Sequence, residues 1–310
     1  MKKPVVIIVG PTAVGKTELS VDIASRIDGE IISADSMQIY KFMNIGSAKP
    51  TEDEKKGIAH YLIDEVDPSK PFSVSDYRNI AKSYIKGISD RDKIPVITGG
   101  TGLYVHSIIF DMDFAAQPSN DSFRKDLEME AQKYGNTYIH AKLKAIDSAL
   151  AERIHPNNTK KMIRALEVFY QTGEIIKDFE ESFVENHDYN YILVGLTRER
   201  EELYDRINKR VDMIMEAGLL QEVKDLLASG LTYDNISMKG IGYKELIGFL
   251  NGEYDLDHAV WLIKRNTRRY AKRQLTWFKR YKNIYWKNLS EYTLKEDVVN
   301  DILIYINSKL

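Results

Sequence analysis

Gly10-Pro11-Thr12-Ala13-Val14-Gly15-Lys16-Thr17 completes the pattern G-x-x-x-x-G-K-[ST] between an unbroken apolar run, Val5 to Val9, and a helix-like segment, Glu18 to Ile27. Strand, glycine-rich loop and helix in that order confine the chain to folds in which a buried strand delivers a loop to a helix N-terminus. Such a loop turns its backbone N–H groups around a di- or triphosphate, and the helix adds partial positive charge at the same place. Lys16 then reaches the terminal phosphates, and the Thr17 hydroxyl is placed to ligate Mg²⁺. At ordinary glycine usage a chance match in 310 residues is on the order of one per cent, which sets aside a merely structural turn. The motif alone leaves open what happens to the phosphates.

Further short runs rich in Val and Ile, Glu30–Ala34, Ile94–Thr98 and Tyr191–Leu196, read as buried parallel strands beside the first. Helix-like stretches separate the first three, which predicts an α/β class with a P-loop NTPase-like parallel sheet core. Ligand sites in such sheets lie beyond the carboxyl ends of the strands. The candidates are therefore Gly10 to Thr17, Asp35 to Tyr40, Gly99 to Tyr104, and Thr197-Arg198.

Between Ala115 and His187 strand runs vanish. Helical stretches replace them at Ser122–Tyr134, Asn136–Ile146, Ser148–Ile154 and Thr159–Gln171, punctuated by Pro118 and Pro156-Asn157-Asn158. This predicts an inserted all-helical subdomain over 115–187, with residues 1–114 and 188–310 forming the core. Beyond Leu196 the chain reads as a helical C-terminal region: Glu199–Ala217, Leu219–Ser229, Lys244–Asn251 and a long stretch from Asp257 to Tyr281.

Composition narrows the chemistry. Net charge is −2, so no global field draws in nucleic acid, and the absence of cysteine excludes disulfides, thiolate metal sites and a thiol nucleophile. His60, His106, His140, His155, His187 and His258 show no metal-ligand spacing and read as structural or exposed. The N-terminus runs straight into the first strand without a signal h-region, and no stretch approaches a membrane span, so a cytoplasmic location is expected.

Asp35 follows the second strand. A carboxylate there suits a general base facing the phosphate loop, or equally the cap of a following helix. Ser36 and Gln38 add hydrogen-bonding capacity. In Gly99-Gly100-Thr101-Gly102 the paired glycines admit close approach of a ligand and Thr101 offers a hydroxyl, or the segment is simply a tight strand–helix turn. The third strand ends in Gly-Gly where a hydrolytic P-loop enzyme usually carries an Mg²⁺-holding Asp, which weakens an ATPase reading. Arg198, Arg200, Arg206 and Arg210 could clamp a leaving pyrophosphate bidentately, or pair with Glu199, Glu201, Glu202 and Asp205 on a solvated face. From Trp261 to Lys282 there are nine Lys or Arg and no acid, around a stripe of Ile263, Thr267, Tyr270, Gln274, Trp277 and Tyr281. Such a helix suits a nucleic-acid backbone, with Trp and Tyr available for stacking, or else docks against acids such as Glu291 or Glu296. Met238 to Lys244 reads as a flexible basic turn able to touch a phosphate.

Taken together, GPTAVGKT (Gly10–Thr17), SADSMQIY (Ser33–Tyr40), GGTGLY (Gly99–Tyr104), KKMIRALE (Lys160–Glu167), KGIGYKE (Lys239–Glu245) and RRYAKRQLTWF (Arg268–Phe278) resemble, in order and across nearly the whole chain, the bacterial tRNA dimethylallyltransferases, or tRNA isopentenyltransferases. Met37 stands where many members carry Arg, and the zinc-finger extension of eukaryotic members is absent.

The resemblance implies transfer of a dimethylallyl group from dimethylallyl diphosphate to N6 of the adenosine 3′ of the anticodon, with Mg²⁺ assisting and diphosphate leaving. It implies that Gly10, Pro11, Thr12, Ala13, Val14, Gly15, Lys16 and Thr17 bind the diphosphate. Asp35 would take the proton of the attacking amine and Thr101 would hydrogen-bond that amine. Lys16, Arg210 and Mg²⁺ on Thr17 would stabilise the leaving group. It further implies tRNA contacts from Asp35, Ser36, Met37, Gln38, Thr101, Phe123, Lys160, Lys161, Arg164, Lys239, Gly240, Gly242, Tyr243, Arg269 and Arg273, with the helical insert gripping the anticodon stem-loop. The sequence shows no obvious dimerisation segment, so a monomer is expected. Read from the residues alone, a P-loop small-molecule kinase shares the loop and Asp35 but leaves the basic helix and the insert unexplained. A nucleotide-gated RNA-binding switch needs a further strand-end Asp.

Overall fold

The computed structural model describes residues 2–111, 120–175 and 184–310. In chain order the elements are β1 (Pro4–Val9), α1 (Lys16–Arg26), β2 (Gly29–Ser33), α2 (Glu52–Lys55), β3 (His60–Tyr61), α3 (Val74–Ser89), β4 (Ile94–Gly99), α4 (Gly102–Ile109), α5 (Asp121–Tyr134), α6 (Asn136–Ile146), α7 (Ser148–Arg153), α8 (Thr159–Thr172), β5 (Asn190–Thr197), α9 (Arg200–Glu216), α10 (Leu219–Ala228), α11 (Tyr243–Leu250), α12 (Leu256–Phe278), β6 (Tyr285–Asn288) and α13 (Lys295–Asn307). They fall into two compact units, Met1–Ile109 with Asn186–Leu310, and Phe110–Glu185. Pro118 and the expected boundary at 114/115 lie outside the described residues.

In the first unit the strands form one sheet in the order β3-β2-β4-β1-β5-β6, with every pair parallel. Val5 to Val9 are fully buried. That explains the unbroken apolar run, since a central parallel strand is covered on both faces. The chain leaves β1 toward β2 on one side and later returns to β5 on the other. The crevice where strand order reverses therefore opens at the carboxyl end of β1, where the phosphate loop begins. Local chemistry fixes the ends: Ser73 and Asp76 form a capping box on α3, and Asp255 accepts the His258 N–H at 2.8 Å to start α12. The basic helix ends at Phe278 rather than Tyr281.

The second unit packs α5 to α8 around Leu127, Ile139, Leu143, Leu150, Met162, Ile163 and Leu166. Asn120, Asp147 and Asn158 cap α5, α7 and α8, and Gly173, at φ 73°, ends α8. Among the described residues no helix is long and apolar enough to cross a membrane.

Candidate active site

The phosphate loop is held from two sides. Gly15 sits at φ 112° at the start of α1, a conformation glycine adopts freely, whereas Ala13 takes φ 62° at steric cost. Two arginines fasten the strained stretch: Arg206 Nε donates to the Ala13 carbonyl and Arg198 Nε to the Val14 carbonyl, each at 2.9 Å. Arg198 is braced by Glu202, whose other oxygen accepts the Ser290 hydroxyl at 2.5 Å. On the other side Gln274 Oε1 accepts the Thr12 N–H. Lys16 Nζ donates to the carbonyls of Gly10 and Pro11 at 2.9 and 2.8 Å. Burial lowers its pKa to about 7, a fall that Asp35 opposes and Arg210 assists.

Beside the loop lies a cavity of about 420 Å³. Thr12, Asp35, Ser36, Met37, Arg210, Lys239, Gly240 and Arg273 line it, together with Tyr270 and an apolar wall of Ile207, Val211, Ile214 and Ile263. Asp35 lies two residues past β2. Its Oδ1 accepts the Met37 N–H at 2.9 Å and the Gln38 N–H at 3.4 Å, so it caps a turn, not a helix, while also facing the cavity. Thr101 Oγ1 accepts the Ser36 N–H at 2.9 Å and donates to Ser36 Oγ at 3.3 Å, which fixes the hydroxyl beside Asp35. Arg210 is half-buried, and loss of hydration around its guanidinium lowers its pKa, with Asp35 and Glu54 countering. Arg206 and Arg210 thus divide their work. Arg206 grips the loop's backbone, and Arg210 is the one of the two that lines the cavity with Asp35.

Several expected roles change. The glycines that end and follow β4 make room for protein rather than for a ligand: a Cβ on Gly99 would lie 2.2 Å from the Ala34 carbonyl, and one on Gly100 2.1 Å from Gln274 Nε2. Gln38 bonds to Ser33 and to the carbonyls of Ser47 and Ala48. Tyr243 is interior, with its hydroxyl on Glu222 at 2.7 Å and its ring filling the space above Gly46, and Gly242 bonds back to Glu245. These two residues support the cavity wall formed by Gly46, Lys239 and Gly240 and are not presented to RNA. On α12, half-buried Trp277 packs on Gly102 and donates to the hydroxyl of Tyr281, which is itself buried and so not available for stacking. Glu291 and Glu296 bond to Asn288 and Arg26, not to α12. Lys264 pairs with Asp212 and Arg268 bonds to Asn208, while Arg269, Lys272 and Arg273 are exposed. His106 is fully buried.

In the helical unit, Lys160 and Lys161 are exposed in the first turn of α8. Cations oppose the helix dipole there, an arrangement that an anionic partner would compensate. Arg164 instead bonds to buried Glu167, and Phe123 packs against Tyr170 and the unit's core.

Gln274 and Tyr270 are further site residues that the sequence places only within the stripe of α12. A polar side chain inside the stripe from Ile263 to Tyr281 was the available signal, because a buried amide must find partners. Gln274 finds Thr12 and Gly100. Tyr270 is driven up to about 12 by burial and by Asp35, and hydrogen bonds with Thr101 and Gln274.

Residues 38–281 match the family model described as IPP transferase. A tRNA dimethylallyltransferase of Alkaliphilus oremlandii is 56% identical over 303 residues, 98% of this chain and 97% of that protein. The crystal structure of the full-length tRNA isopentenylpyrophosphate transferase from Bacillus halodurans aligns with a TM-score of 0.76 at 43% identity, over 100% of this chain and 97% of that one. A eukaryotic dimethylallyltransferase acting on tRNA gives a TM-score of 0.80 at 28% identity, over 99% of this chain and 80% of that one. With a family match across most of its length and a relative identical at more than half of its positions, the chain belongs to the IPP transferase family.

Proposed function

We propose that this enzyme transfers a dimethylallyl group from dimethylallyl diphosphate to N6 of the adenosine 3′-adjacent to the anticodon, in tRNAs that read codons beginning with U, and releases diphosphate. The observation that carries this reading is the cavity beside the phosphate loop. It joins Thr12 of the loop, the acid Asp35, the cation Arg210 and a wall of Ile207, Val211, Ile214 and Ile263. A branched isoprenoid tail fits that wall, which offers little to a polar phosphoryl acceptor.

An adenine amine is a weak nucleophile because its lone pair is delocalised into the ring. Attack on the allylic carbon forms the C–N bond as the C–O bond to diphosphate breaks, and the amine proton must leave. Asp35, held by two backbone N–H groups, receives it. Thr101, fixed on Ser36, orients the amine. Lys16 and Arg210 stabilise the charge that grows on the diphosphate. The neutral Thr17 hydroxyl, at the loop end of α1, is a donor suited to Mg²⁺, an ion that takes few protein ligands and draws the rest from phosphate and water. Bound there, the ion would neutralise charge on the leaving group.

Ser36, Met37, Lys239 and Gly240 at the cavity, Arg269 and Arg273 of α12, and Lys160 and Lys161 of α8 are the RNA contacts in this reading. The enzyme acts as a monomer in the cytoplasm. Incubation with Mg²⁺, dimethylallyl diphosphate and unmodified tRNA, followed by mass analysis of nucleosides, tests it. A prenyl adduct on adenosine is expected, falling by about 10²–10⁴-fold in rate with Asp35→Ala. Consumption of ATP with no adduct would overturn the reading in favour of a kinase.

A further inference from the structure

Phe42 stands in the left-handed region, at φ 65°, with its side chain 66% exposed. A bulky L-residue is an outlier there, where glycine sits without steric cost. The other non-glycine residues of positive φ among those described are small (Ala13, Ala48), are aspartates that tolerate the conformation (Asp28, Asp64, Asp92), end a helix (Lys56) or are buried (Leu62). Phe42 alone combines an exposed aromatic ring with this backbone.

The loop cannot relax around it. The Lys41 N–H donates to Val66 at 2.8 Å, and Lys49 Nζ to the Tyr40 carbonyl at 2.6 Å and to Asn44 Oδ1 at 2.9 Å. Glu222 accepts the N–H groups of Asn44 and Ile45 at 2.7 Å and of Gly46 at 3.0 Å. Met43, next in the chain, is fully buried. The same loop supplies Tyr40, Gly46 and Ser47 to the wall of the Asp35 cavity, and Lys41, the residue before Phe42, is an exposed cation. A rigid loop thus holds an aromatic face and a positive charge in solvent, close in sequence to the acceptor site. Strain of this kind persists where function uses the conformation.

We propose that Phe42 is a stacking platform for the nucleotide next to the acceptor adenosine, with Lys41 meeting the adjoining phosphate. The inference rests on the transferase reading. An acceptor base that enters a cavity must leave its stack, and its neighbour then lacks a partner that an aromatic ring replaces.

The test measures binding of an unmodified anticodon stem-loop RNA by fluorescence anisotropy, alongside thermal unfolding. Phe42→Gly should weaken RNA binding by about tenfold, in the range of a lost aromatic–base stack, while the Tm stays equal or rises as strain is relieved. Phe42→Leu should lose affinity likewise, and Phe42→Trp should stay within about twofold of the parent. Unchanged RNA binding by Phe42→Gly would overturn the proposal, as would a loss of affinity accompanied by a lower Tm. Prenyl transfer with no dependence on Phe42 would sink the stacking role and leave the transferase reading intact. RNA binding that depends on Phe42, without any adduct, would do the reverse.

Discussion

Thr12, in the phosphate loop, and Gln274, on α12, are 262 residues apart in sequence and joined by a 2.9 Å hydrogen bond from the Thr12 N–H to Oε1. The same amide's Nε2 donates at 2.9 Å to the carbonyl of Gly100, in the turn after β4. One side chain, 5% exposed, therefore ties together the loop proposed to hold the leaving group and the turn that carries Thr101. Gln274→Ala leaves a half-buried donor and a buried acceptor without this partner, and should cost about 1–3 kcal/mol in chemical denaturation. KM for the prenyl diphosphate should rise with it. Gln274→Glu should be no better, because a carboxylate accepts from Thr12 but cannot donate to Gly100. Wild-type stability and KM in either variant would show that the tie is dispensable.

The two arginines four apart on α9 separate by kinetics. Arg210 lines the cavity with Asp35, so Arg210→Ala should lower kcat by about 10²–10³-fold, the scale of one lost transition-state donor. Arg206 instead holds the Ala13 carbonyl. Arg206→Ala should act mainly through a loosened loop, raising KM for the diphosphate and leaving a larger fraction of kcat. Steady-state kinetics in which both variants show the same pattern would contradict this division.

The strands and the site differ in how far sequence exposes them. β1, β2, β4 and β5 are legible because burial on both faces writes an apolar run. β3 has only His60 and Tyr61, and β6 is a half-buried edge of Tyr285, Trp286, Lys287 and Asn288, so neither writes one. α4 escapes a periodicity reading because Tyr104 to Ile109 are all buried, which removes any polar face. In the site, the phosphate loop and Asp35 are readable because motif and strand end are local. Gln274 is not, since Thr12 and Gly100 lie far away in sequence, and the glycines of the β4 turn look open to a ligand only until Gln274 is placed against them. The aromatic residues of the basic helix mislead for a similar reason: a helical stripe predicts which residues share a face, not that Gly102 will receive Trp277.

In the helical unit the buried Glu167 carboxylate gathers the Asn120 N–H at 2.8 Å, Arg124 Nε at 2.9 Å and Arg164 Nη1 at 2.5 Å. Burial raises its pKa, and these donors more than offset that, so it is held below its usual value. Both arginines are about a third exposed and keep access to water, which moderates the cost of losing their partner. Glu167→Gln should destabilise by about 1–2 kcal/mol in urea titration, and Glu167→Leu by more, because the Asn120 N–H then loses its acceptor. A Glu167→Leu variant as stable as the parent would show that the cluster is not structural.

His106 sets a pH limit on the fold. It is fully buried on α4, its Nδ1 lies 3.3 Å from the Tyr281 hydroxyl, and the Trp277 ring meets it edge-on at 6.2 Å. Burial first, and the Arg280 charge second, lower its pKa from 6.5 to about 4. Between those values the unfolded chain binds the proton and the folded chain does not, so stability rises with pH across the window. On acidification the contribution is lost progressively from pH 6.5 to about 4 and is level below that, a total of about 3 kcal/mol. Carboxylates titrate in the same window, so the difference between the parent and His106→Gln isolates the histidine. Urea midpoints should converge as pH falls from 6.5 to 4, with the parent losing more. Parallel pH profiles for the two proteins would mean that His106 takes up its proton without unfolding cost.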